Sequence, residues 1–114
     1  NFDDAIGSKK VLEELKKLGY KIGLNLMQSN GKKDEEYINL ASKINEWSLV
    51  DVLYFADSFG KMSPSDVKKV NKVLSQEWKG EIGFHSHNNK GFALANALSA
   101  INEGVGWCDC TVSM

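Results

Sequence analysis

The stretch Ile82–Val112, IGFHSHNNKGFALANALSAINEGVGWCDCTV, carries a complete strand, helix and strand signal in 31 residues. Ile82 to His87 is a short apolar run rich in strand formers, and Trp107 to Val112 is a second one. Between them, Gly91 to Glu103 places Leu94, Ala95, Leu98 and Ile101 at helical spacing, and Gly104 supplies the stop. Two strands joined by a helix of this length pair in parallel through a right-handed crossover.

The same unit repeats upstream. Ile22 to Met27 and Val52 to Ala56 read as further strands. The helix of Ser8 to Leu18 is expected to bury Val11, Leu12, Leu15 and Leu18, and that of Asp34 to Trp47 to bury Tyr37, Ile38, Ala41 and Ile44. Ahead of the third helix, Ser63 can cap, Pro64 fits the first helical position and Asp66 sits in the electropositive first turn. Its buried face is expected to be Val67, Val70, Leu74 and Trp78. The run Val52-Leu53-Tyr54-Phe55-Ala56 barely alternates, as in a strand covered on both faces. Strand starts at 22, 52, 82 and 107 are close to the roughly 31 residues per unit of an eightfold barrel. A doubly wound open sheet has a similar period, so spacing alone leaves both open.

Composition narrows the function. Among 114 residues, 14 basic side chains face 15 acidic ones, for a formal charge of −1. That balance offers no field for a nucleic acid backbone. No apolar run reaches the roughly 18 residues of a membrane span, and no secretory signal layout opens the chain, so a cytoplasmic protein is expected. Asn1 in the first position suggests a truncated chain. Cys108 and Cys110 are too close along one strand for a relaxed disulfide and read as packing residues.

In parallel α/β folds the carboxyl ends of the strands face the ligand. There the sequence sets Asn25 and Gln28, Asp57 and Ser58, His85 and His87, and Thr111 and Ser113. The only two histidines are His85 and His87. Positions i and i+2 of a strand share a face, and two neutral imidazoles there can chelate a divalent ion at about 2.0–2.2 Å. A pair hydrogen-bonded in a polar core is the plainer alternative. Asp57 either orients a ligand at the mouth or caps its own loop, and Asn25 is either a ligand donor or a satisfied interior amide.

Read together, YFADSFGKMSPSDV and GFHSHNNKGFALANALSAINEGVGWCDCTVSM resemble the metal-dependent lyase, aldolase and synthase superfamily that includes hydroxymethylglutaryl-CoA lyase. The H-x-H-N stretch leading into A-N-A-L-x-A, with Asp57-Ser58-Phe59-Gly60 about 28 residues before it, carries the likeness. GLNLMQ at 23–28 is similar to the fourth barrel strand of the aldolase branch, and the closest likeness is to the 4-hydroxy-2-oxovalerate aldolases. Asn89, where the synthases tend to have aspartate, and Lys90 also point away from the synthases.

The resemblance implies an α/β fold of parallel strands with alternating helices, with residues 1–114 forming a four-unit part of a (β/α)8 TIM barrel, strands four to seven. It implies that His85 and His87 bind a divalent metal, Mn2+ or Mg2+, together with an aspartate on the first strand and an asparagine beyond the seventh. Asn25, Asp57 and Thr111 are then expected to line the pocket of a small 2-oxo acid whose carbon-carbon bond is cleaved or formed through a pyruvate enolate. Two alternatives are an acyl-CoA and 2-oxo acid condensing synthase and a non-catalytic fragment. Four strands with two open edges are also expected to pair, as a homo-oligomer or with the missing barrel half.

Overall fold

The computed structural model describes residues 2–27 and 32–110. Helices α1 (Phe2–Gly7) and α2 (Lys9–Lys17) precede β1 (Gly23–Leu26). Then follow α3 (Asp34–Trp47), β2 (Val52–Ala56), α4 (Pro64–Glu77), β3 (Glu81–Ser86), α5 (Ala93–Asn102) and β4 (Trp107–Cys110). All neighbouring strands pair in parallel, and their order in the sheet is the order of the chain.

That order decides between the two architectures left open by spacing. A right-handed crossover that always steps to the next strand in the same direction lays every helix on the same face. A doubly wound sheet needs a reversal of direction, and the four described strands have none. The chain is a four-unit part of a TIM-type barrel, with its helices on the outside.

The two sheet faces differ accordingly. Leu26, Leu53, Phe55, Ile82 and Phe84 point outward and are buried beneath the helices, where Phe55 and Phe84 meet with ring centroids 4.9 Å apart. On the inner face, Val52 and Tyr54 are only half-buried. The apolar run of β2 is therefore covered by a helical layer on one face, while on the inner face of these four strands Ala56 is buried and Val52 and Tyr54 are partly open.

Helix α4 begins as its sequence predicts. The Ser63 hydroxyl accepts from the Asp66 N–H at 3.3 Å, and the Asp66 carboxylate accepts from the Ser63 N–H at 2.9 Å. Val67, Val70, Leu74 and Trp78 are buried, as are Tyr37, Ala41 and Ile44 of α3.

Two helical faces differ from expectation. In α5, Leu94 is 70% exposed and Leu98 and Ile101 are about half exposed, whereas Ala93, Asn96, Ala97 and Ala100 are buried. Stripes of leucine and alanine run one residue apart here, and the alanine stripe wins because small side chains let the helix lie close to the sheet. In α2 only Leu12 is buried, with Leu15 packed partly against the core, while Val11 and Leu18 face outward. The helix read from Ser8 is α2; the sequence reading did not include the short α1 before it, and at the junction the Ser8 hydroxyl donates to the Ala5 carbonyl at 2.6 Å. No helix among the described residues is long and apolar enough to cross a membrane.

Candidate active site

Strand register sorts the inner face into rows. Asn25, Tyr54, Gly83 and Trp107 form one row, and Ala56, His85 and Asp109 form the next toward the carboxyl ends. His87 follows immediately after β3. Glycine at 83 creates room, since a Cβ there would come within 2.5 Å of the Tyr54 ring. Tyr54 thus lies across the sheet interior, where burial, then the charges of Asp109 and Cys108, push its hydroxyl above the usual range.

The two imidazoles converge. Nε2 of His85 lies 3.2 Å from Nε2 of His87, with the rings nearly perpendicular at 77°. On the far side of its ring, His85 Nδ1 contacts the carboxylate of Asp109 across the β3–β4 pair. Among the described residues, no group of three or more His, Cys, Asp and Glu side chains is arranged to hold a metal. The donor pair itself fits a divalent ion. Two ligands about 2.0–2.2 Å from one ion and adjacent around it lie on the order of 3 Å apart.

Asp57 has a different environment. It is fully buried, and its two carboxylate oxygens accept from the N–H groups of Lys61 and Met62 at 2.9 and 3.0 Å. These contacts fit the loop-capping reading, in which Asp57 shapes the β2–α4 connection beside the mouth. Asn25 is exposed on the inner face, one row below His85. Thr111, like Gln28 and Ser113, lies outside the described residues. The structure therefore brings His85 and His87 together, with Asn25 on the same face and Asp57 held in a neighbouring loop.

Two contributors, Asp109 and Asn96, were not singled out from the sequence. Asp109 stands between two cysteines that drew attention first, and only strand register reveals that it shares a row with His85. Asn96, fully buried in the A-N-A-L segment, donates from Nδ2 to the Met62 carbonyl at 2.8 Å and so ties α5 to the loop that Asp57 caps. Gly60, at φ 62°, lies so close to Asn89 that a Cβ would stand 2.5 Å from its Oδ1, bringing the loops after β2 and β3 together. Asn88 Oδ1 accepts from the Ala93 N–H at 3.1 Å at the start of α5.

A cavity of about 610 Å³ opens at the other end of the strands, lined among others by Lys21, Asp51, Tyr54, Glu81 and Trp107. It sits at the amino ends of the strands, opposite the face at which active sites of such barrels lie. The converging imidazoles, not the cavity, mark the candidate site.

A singly wound parallel sheet with paired imidazoles at the carboxyl ends defines the class: part of a (β/α) barrel. The HMGL-like family model matches residues 5–113, and the chain belongs to that family. It is 35% identical over 105 residues to the 4-hydroxy-2-oxovalerate aldolase of Geobacillus thermodenitrificans, covering 92% of this chain and 30% of that protein. The enzyme of the same name from Thermus thermophilus is 36% identical over 91 residues, 76% of this chain and 25% of its own length. The chain thus spans less than a third of these curated relatives. Among solved structures, the N-terminal domain of a candidate aldolase from Bacteroides vulgatus superposes with a TM-score of 0.78 at 26% identity, covering 93% of this chain and 35% of that one. The carboxyl transferase domain of Rhizobium etli pyruvate carboxylase, solved with 3-hydroxypyruvate, reaches 0.78 at 20% identity over 89% of this chain and 18% of that one, a likeness of fold.

Proposed function

We propose that the whole protein is a divalent-metal-dependent aldolase that cleaves or forms a carbon-carbon bond in a 2-oxo acid, as the names of its relatives suggest. The observation that carries this reading is the 3.2 Å approach of the His85 and His87 Nε2 atoms at the carboxyl ends of the strands. When bound, Mn2+ or Mg2+ supplies Lewis-acid stabilisation for negative charge developing beside the 2-oxo group. His85 and His87 provide two nitrogen donors, and the remaining ligands come from other parts of the barrel.

The other residues shape the pocket. Tyr54 and Asn25 floor it one row below the imidazoles, and the Tyr54 hydroxyl stays protonated and able to donate. Asp57 holds the β2–α4 loop, and Asn96 holds the same loop from α5, so the wall beside the substrate is fixed by buried hydrogen bonds. The open edges and inner face of the four strands associate with the rest of the barrel or with a second copy.

The test is titration of the whole protein with Mn2+, in the parent and in His85→Ala and His87→Ala, alongside release of pyruvate and aldehyde from 4-hydroxy-2-oxovalerate. Each substitution is expected to weaken Mn2+ binding and remove turnover. Unchanged affinity in both variants overturns the metal reading. Acyl-CoA-dependent thiol release in place of aldol cleavage overturns the aldolase reading in favour of a synthase.

A further inference from the structure

We infer that Asp109 is a positioning residue that sets the tautomer and ring orientation of His85, holding the proton on Nδ1 and presenting a bare Nε2 toward His87. Asp109 and His85 are direct partners in the β3–β4 pair, so their side chains rise from the same face at adjacent strands. The Asp109 carboxylate meets His85 Nδ1. On the opposite strand the partner of His85 is Ala56, whose methyl group offers no competing hydrogen bond. Of the two strands that flank β3 at this position, only β4 offers His85 a hydrogen-bonding side chain.

A carboxylate can only accept, so the bond requires the proton to sit on Nδ1 when His85 is neutral. Nε2 is then a lone pair. The 3.2 Å contact between the two Nε2 atoms follows directly, with His87 donating and His85 accepting across nearly perpendicular rings. Asp109 accordingly prepares one of the two donors in advance, and only His87 has to give up or relocate its proton for both to face a common ion. The use of this arrangement in ion binding rests on the metal reading proposed above. The tautomer does not.

The experiment separates the two. The whole protein is labelled with 15N-histidine, stripped of metal with a chelator and held near pH 8, where an ordinary histidine is neutral. Long-range proton–nitrogen spectra then report which His85 nitrogen carries the proton, with the signal assigned through His85→Gln. In the parent, His85 is expected to be protonated at Nδ1. In Asp109→Ala it is expected to move toward the Nε2–H form that free imidazole favours, and Mn2+ affinity measured by calorimetry is expected to fall roughly 10–100-fold. Asp109→Asn keeps an oxygen in place and is expected to retain the Nδ1–H form, with an intermediate affinity. It also reports on the site should Asp109→Ala fold poorly.

An Nδ1–H signal that persists in Asp109→Ala overturns the inference, as does a parent whose His85 carries its proton on Nε2. A lower melting temperature with tautomer and Mn2+ affinity both unchanged marks a cross-strand contact and nothing more, and overturns it too. A tautomer that shifts in a protein that never binds Mn2+ sinks the metal reading and leaves the positioning role standing.

Discussion

The same four strands present two faces, and the contrast between them separates what holds the molecule together from what it can do. Outward, Leu26, Leu53, Phe55, Ile82 and Phe84 fill the space beneath the helices. Inward, the register positions carry Asn25, Tyr54, Gly83, His85, Trp107 and Asp109, with only Val52 and Ala56 of β2 aliphatic among their neighbours there. Because successive side chains of a strand alternate, neighbours such as Phe84 and His85 belong to different regimes. Stability is concentrated on the odd-looking apolar face, and chemistry is free to vary on the other.

The largest effect that would test this division is on the outer face. Phe84→Ala removes a fully buried ring packed against Phe55 and is expected to destabilise the fold by about 3–5 kcal/mol. His85→Ala, one residue further along, is expected to change stability by no more than about 1 kcal/mol. Denaturant unfolding of the two variants measures the gap, and comparable losses would erase the distinction between the faces.

Asp57 lies just past the end of β2, yet both of its carboxylate oxygens accept from backbone N–H groups of its own loop. Asp57→Ala leaves the Lys61 and Met62 N–H groups without their acceptor and is expected to cost about 1–3 kcal/mol. Hydrogen exchange at those two amides should speed up. An effect on substrate affinity with exchange unaltered would instead place the carboxylate in the pocket.

Gly83 marks where the inner face is shaped by the absence of a side chain. Gly83→Ala puts a methyl group 2.5 Å from the Tyr54 ring, which lies on the less crowded side of the sheet and is able to swing away. The expected cost is about 1 kcal/mol or somewhat more, with a changed Tyr54 ring environment in the NMR spectrum. An unchanged ring signal would show that Tyr54 does not rest over the glycine.

How much of this was legible beforehand depends on which face a residue serves. The strands, the capping of α4 by Ser63 and Asp66, and the buried stripe of Val67, Val70 and Leu74 follow from local period and chemistry, which one chain segment carries in full. The α5 stripe misled because Leu94, Leu98 and Ile101 satisfy helical spacing as well as Ala93, Ala97 and Ala100, and only the closeness of the sheet chooses between them. His85 and His87 announced themselves as neighbours. Asp109 could not, because its pairing with His85 crosses 24 residues and exists only once β3 and β4 are in register.

The smallest expected effect lies at the amino ends of the strands, where the field is electrostatic. Asp51 accepts from the Ile22 N–H at 2.7 Å, and Lys16 approaches the same carboxylate at 3.2 Å. The backbone hydrogen bond from Ile22 is the main reason that its carboxyl is held below the usual range, with the Lys16 ammonium adding to it and partial burial opposing. A depressed folded value means that the ionised form favours the fold, so its contribution is complete above the ordinary aspartate value of about 3.9 and fades as pH falls through the lower, folded value. Asp51→Asn is therefore expected to lower the melting temperature at neutral pH and to converge with the parent in acid. The pair with Lys16 is solvent-exposed, so Lys16→Ala should cost only about 0.2–1 kcal/mol, and less in high salt. If added salt removed the whole difference between Asp51→Asn and the parent, the ion pair rather than the Ile22 hydrogen bond would be the dominant contact, and the amino end would owe its order to charge instead of to the backbone.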